Sequence, residues 1–103
     1  MNLVREVYDL TKKLPKEKQY VLSSQLRRAS VSVASNIAEG ASRKSVIERR
    51  RFYQISRSSA VEIDTQIEIC LMLQYFSNND LINLKSELNN VFALLTAMIN
   101  NTK

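Results

Sequence analysis

The chain has 103 residues, 45% of them hydrophobic, which suits a single domain spanning residues 1–103 with one modest core. One Gly and one Pro are too few for the turns of an all-β fold, and one Cys cannot form an internal disulfide. The net charge of +5 is unevenly placed: residues 1–57 hold 13 Lys/Arg against 5 Asp/Glu, residues 58–103 hold 2 against 5, and this asymmetry favours an anionic partner.

Arg5, Glu6 and Asp9 interrupt the opening residues, so no signal peptide is expected there. The first helix is predicted over about residues 2–13, where Leu3, Val7, Leu10 and Leu14 repeat at four, three and four. Leu14-Pro15 ends it, because a residue before Pro disfavours helix while Pro suits the first turn of the next.

A second helix is predicted from about Pro15 to Glu39, with Gly40 as a left-handed C-cap. Leu22, Leu26, Ala29, Val33 and Ile37 share one face, and Gln25, Arg28, Ser32, Asn36 and Glu39 form a polar stripe beside it. Ala29 to Ala38 carry no charge, and the remaining arc is mostly small residues. A helix covered on one face by its own domain shows charges on the other. This one is therefore expected to be buried nearly all round, partly by another copy of the chain.

Ser45 is predicted to cap the third helix, with Glu48 completing a capping box, and the helix to run to about Phe76. Its stripe is Phe52, Ser56, Ser59, Ala60, Ile63, Ile67, Cys70, Leu71 and Gln74, which makes Cys70 a buried thiol rather than a nucleophile. One of Ser77, Asn78, Asn79 and Asp80 caps the fourth helix. There Leu81, Leu84, Leu88, Val91, Leu95 and Met98 alternate three and four, flanked by Phe92 and Ile99. Four helices with short connections predict an all-α, antiparallel up-down-up-down four-helix bundle. The longest uncharged run, Leu88 to Thr102, is short of a membrane span and is broken by Asn89, Asn90, Thr96, Asn100 and Asn101, so a cytoplasmic protein with no membrane partner is expected.

No His occurs, which removes Ser-His-Asp and Cys-His nucleophiles, the usual general base and the Glu-x-x-His pairs of di-iron bundles. Glu62, Asp64 and Glu68 do not converge on one helical face, and one Gly cannot build a phosphate loop. No enzyme, metal or cofactor is expected. Arg43, Lys44, Arg49, Arg50, Arg51 and Arg57 cluster at the start of the third helix, with Arg43, Arg50 and Arg57 seven apart. Arginines on a helical stripe meet successive phosphates with little sequence preference; the plainer alternative is a solvated face. Tyr53 is either a base-stacking residue or, more commonly, a boundary residue with a wet hydroxyl. The polar stripe of the second helix lacks a base for catalysis and reads better as a buried network that sets register. Ser59, Glu62 and Gln66 form a matching row. Residue numbers summing to about 90 set Arg28 opposite Glu62, and a direct buried contact is expected there, between neighbouring helices or across a subunit boundary.

Taken together, residues 10–40 (LTKKLPKEKQYVLSSQLRRASVSVASNIAEG), residues 58–67 (SSAVEIDTQI) and the final Leu repeat resemble the 23S rRNA intervening-sequence proteins, a family of small four-helix bundles. The Leu-Pro, QLRRA and NIAEG elements carry most of the likeness, and it covers nearly the whole chain. It implies a ring-like homo-oligomer, typically a pentamer, in bacteria, without enzymatic activity. Relatives include the accessory variability protein of diversity-generating retroelements, a basic nucleic-acid-binding partner of a reverse transcriptase. The family motif falls on Gln25, Arg28, Ser32, Asn36, Glu39 and Gly40, then Ser59, Glu62 and Gln66. The first helix lacks the family's usual leading turns, which leaves open whether Met1 is the native start. Arg49 stands where the family prefers an aromatic and Ser58 where it prefers Gly, so packing at Arg49 is in question. The expected function is a non-catalytic homo-oligomer binding RNA or DNA, or contacting an acidic or nucleic-acid-processing protein. The alternative is a protein–protein scaffold with no nucleic-acid role.

Overall fold

Heptad spacing and serine caps set out four helices in the computed structural model, which describes residues 2–14 and 20–102. They are α1 (Leu3–Thr11), α2 (Tyr20–Ser42), α3 (Val46–Met72) and α4 (Asn78–Asn101). The α2–α3 pair is the most extensive; α3–α4, α1–α2 and α1–α4 close the ring, and among the described residues the Cα atoms of the diagonal pairs stay more than 8 Å apart. This is the antiparallel four-helix bundle that the short connections require. The expected helix start at Pro15 lies outside the described residues.

The apolar stripes face inward as their periods dictate. Leu3, Val7 and Leu10 of α1 meet Leu26, Ala29 and Val33 of α2, Ala60, Ile63 and Ile67 of α3, and Leu81, Leu84, Leu88, Val91 and Leu95 of α4. Cys70 is buried among them, and desolvation pushes its thiol up from the ordinary range. α1 has nine residues and α2 has 23, so α1 rises about 14 Å against about 35 Å. It covers one end of the bundle only. Toward the other end Ile37, Phe92, Met98 and Ile99 stay half-buried.

Local chemistry ends each helix, and in three places differently from the sequence reading. The Ser77 hydroxyl accepts the Asp80 amide while the Asp80 carboxylate takes the Ser77 amide at 3.0 Å, a reciprocal box that starts α4. The bonds from the Ser77 amide and hydroxyl hold the Asp80 carboxyl below its usual range. At Ser45 only half of the expected box forms, the hydroxyl accepting the Glu48 amide at 3.3 Å. α3 stops at Met72, short of Phe76, because Gln74 turns left-handed at φ 61°. The Gln74 amide then bonds the Leu71 carbonyl and the Tyr75 amide the Cys70 carbonyl, a Schellman ending that folds Phe76 back into the core.

Gly40 is not a left-handed cap. It sits inside α2, its φ is not positive, and the helix continues to Ser42. The reason for glycine is packing: an added Cβ would lie 2.6 Å from Tyr53 Cε1 and 3.2 Å from the Arg49 carbonyl oxygen. Small residues continue this seam, with the buried Ser56 hydroxyl donating to the Val33 carbonyl at 2.8 Å.

α2 is also not covered all round within one chain. Each corner of a four-helix ring touches two neighbours, so the outer third of α2 faces away, and Val31 on it is 43% exposed. Among the described residues no helix is long and apolar enough to cross a membrane.

Candidate nucleic-acid interface

The basic cluster gathers at the α2–α3 turn and along the first three turns of α3, but its six members do different things. Arg43 lies in the turn rather than on α3, so only Arg50 and Arg57 of the seven-residue row share a helical edge. Arg43 pairs with Glu39 at 3.1 Å and stacks 5.0 Å from the Phe52 ring centroid. Arg49 settles the packing question raised by its place on the apolar side. Its guanidinium turns back along the helix and donates to the carbonyls of Arg43 at 3.1 Å and Lys44 at 2.7 Å, tying the turn to α3.

Arg50 reaches across to α4 and donates to the Thr102 carbonyl at 2.5 Å. Arg57 also faces α4, with its guanidinium 5.6 Å from the Phe92 centroid. Lys44 and Arg51 are exposed. Arg43–Glu39 is the one ion pair that any of the six makes among the described residues. The side chains of Lys44, Arg51 and Arg57 are therefore left without a hydrogen bond or ion pair among the described residues, while Arg49 and Arg50 each bond backbone carbonyls. Tyr53 is 6% exposed with its ring carbons against Gly40, which leaves the ring closed to a base.

The polar row is only partly joined. Ser32 and Ser59 share a hydrogen bond at 2.8 Å across the α2–α3 seam, and Asn36 donates to the Ser32 carbonyl at 2.8 Å and hydroxyl at 3.1 Å. Glu39 instead holds Arg43, and Gln25 is half-buried. The expected Arg28–Glu62 contact does not form within the chain: both side chains are exposed and they make no ion pair. Residue sums set two groups at one height along antiparallel helices. Helical phase sets their direction, and both of these point outward.

Glu62 accepts from Gln66 Nε2 at 3.1 Å, which leaves the buried Gln66 Oε1 without a partner among the described residues. An unpaired buried acceptor costs about 1–3 kcal/mol. Gln66→Met keeps the volume and removes that acceptor, so it is expected to raise the urea midpoint of unfolding. A lowered midpoint would mean that the Gln66 amide is satisfied in solution.

Between α3 and α4, beside Arg57, lies a groove of about 570 Å³ bordered by Gln54, Ser58 and Val61 on one side and Thr96, Ile99 and Asn100 on the other. The sequence reading missed it, since all of these positions but Ile99 fall outside the apolar stripes and Ile99 reads as a core-flanking residue. The one available signal was that no acidic residue occurs among them.

Comparison with known proteins matches residues 1–97 to the sequence model of the 23S rRNA-intervening sequence protein family. A solved structure with the same fold is a protein of unknown function from the S23 ribosomal protein family of Bacteroides thetaiotaomicron VPI-5482. It is 21% identical with a TM-score of 0.87, over 95% of this chain and 92% of that one. No curated protein matches the sequence.

Proposed function

The chain belongs to the 23S rRNA-intervening sequence protein family, and from that premise we propose that it is a non-catalytic homo-oligomer that binds RNA or DNA through its basic end. The observation that carries this is the stretch from the α2–α3 turn through the first three turns of α3, where Lys44, Arg51 and Arg57 are exposed and free of carboxylate partners among the described residues. Three cations held on one rigid helical end attract phosphates of any sequence and release counterions on contact. The absence of His supports the non-catalytic half of the reading.

Assembly is supported by the outer side of α2 and α3, where Val21, Val31, Ile55 and Ile69 are 39–66% exposed. We take the assembly to be a cytoplasmic pentamer, as the family likeness implies, and a nucleic-acid-processing protein to be its further partner. Light scattering after size exclusion should return several times the 11.8 kDa of one chain. In the same buffer, a labelled oligonucleotide should bind with an affinity that falls steeply with salt and should not be displaced by polyglutamate. A monomer at micromolar concentration would remove the assembly. Displacement by polyglutamate as readily as by competing oligonucleotide would favour an acidic protein as the ligand.

A further inference from the structure

We infer that the α3–α4 groove beside Arg57 receives one unpaired nucleotide, which makes the ligand single-stranded; this rests on the nucleic-acid reading above and narrows it. The groove volume of about 570 Å³ falls within the range of small-molecule sites. Its lining divides by chemistry into three parts. Arg57 is the one charge among the described residues of the lining, and its contact with the Phe92 ring at 5.6 Å engages none of its N–H donors. Ser58 and Thr96 of the same lining add hydroxyls, and with Arg57 these groups suit a phosphodiester.

Val61 and Ile99 form an apolar surface on which the face of a base can lie. Gln54 and Asn100 bring amides, each both donor and acceptor, which is what the edge of a base requires. A base in a duplex has its faces stacked and its pairing edge occupied. An unpaired nucleotide can be turned into a groove of this kind without the unstacking and unpairing cost of a few kcal/mol that a duplex base carries. Among the described residues no carboxylate lines the groove to repel the phosphate. Toward the turn the same edge of α3 carries Arg50, so a strand leaving the groove in that direction stays on positive surface.

The test is fluorescence anisotropy of the intact oligomer with labelled RNA and DNA single strands and a hairpin duplex. The variant is Gln54→Ala with Asn100→Ala, two exposed positions whose replacement leaves the charge unchanged. It is expected to bind single strands about tenfold more weakly, with duplex affinity and salt slope unaltered. Loss in both the RNA and DNA arms assigns the contacts to base and phosphate, and loss in the RNA arm alone assigns one to the 2′-hydroxyl; either supports the groove. A 4-thiouridine strand should photo-cross-link to the α4 peptide holding Ile99 and Asn100. Wild-type affinity in the double variant, equal loss on the duplex, or cross-links only elsewhere would overturn the groove while leaving nucleic-acid binding intact. Failure of the wild-type protein to bind any strand would overturn the broader reading instead.

Discussion

Reversing Lys44, Arg51 and Arg57 to glutamate together is expected to abolish oligonucleotide binding at physiological salt. At low salt it should leave a residual affinity whose dependence on salt is shallower by about 2 logarithmic units per decade, three contacts at about 0.7 each for a single strand. The choice of residues follows from their contacts. Arg49 secures the turn carbonyls and Arg50 secures Thr102, so reversing either would disturb folding along with binding. Lys44 and Arg51 are exposed, and Arg57 touches only the Phe92 ring among the contacts above, so helicity should survive the triple change. Reversing Arg5 on α1 together with Lys12 and Lys13 just after it, far from the α2–α3 turn, alters net charge equally and serves as the control. Equal weakening in both variants would reduce the basic end to a general charge effect. A distinct interface requires the control to bind nearly as well as the wild type.

Gly40→Val should lower the stability of the bundle by about 2 kcal/mol, a shift of about 10 °C in Tm for a chain of this size. The first added carbon already falls 2.6 Å from one ring carbon of Tyr53 and 2.8 Å from another, and 3.2 Å from the Arg49 carbonyl. That ring is buried, and the carbonyl belongs to the α3 backbone, so neither can swing aside as a long exposed side chain does. Overpacking of this kind costs about 1–3 kcal/mol, and the lost glycine returns less than about 1 kcal/mol of helix propensity. Gly40→Val with Tyr53→Leu should therefore cost less than the sum of the two single changes, since the smaller side chain makes room. Thermal melts followed by circular dichroism decide it. An unchanged Tm in Gly40→Val would show that α2 and α3 are not held this close in solution.

The secondary structure was legible in the chain because its determinants are local. Leu81, Leu84, Leu88, Val91 and Leu95 need only the 3.6-residue period to mark one face of α4, and all five are buried. Ser45 and Ser77 need only the amide three residues on. With short connections, four such helices leave little choice but an antiparallel bundle. Boundaries were less secure. Nothing near Gln74 announces a left-handed residue; α3 ends there because Phe76 gains a core site by turning back.

The candidate site was legible as a composition and not as an arrangement. Six basic residues within fifteen positions identify the basic end, but which of them are spent on the fold depends on partners distant in sequence: Thr102 holds Arg50, while Arg57 meets only the Phe92 ring and keeps its N–H donors. Arg49 shows the same limit at short range, since the carbonyls it satisfies exist as free acceptors only because the chain turns at residues 43–45. Arg28 and Glu62 matched in height and failed in direction, because the azimuth of a helix is set by which neighbours its apolar stripe meets. Gly40 looked like a helix terminator and proved to be a contact point for Tyr53. By itself, then, the sequence determined the four helices, their inward faces, two of their caps and the end of the molecule that carries positive charge, all properties of residues within a turn or two of one another. Only the tertiary structure decided which cations are free, where α3 and α4 leave a groove, and why residue 40 has no side chain. Those depend on how close and at what rotation separate helices come to rest, and no period along one helix encodes that.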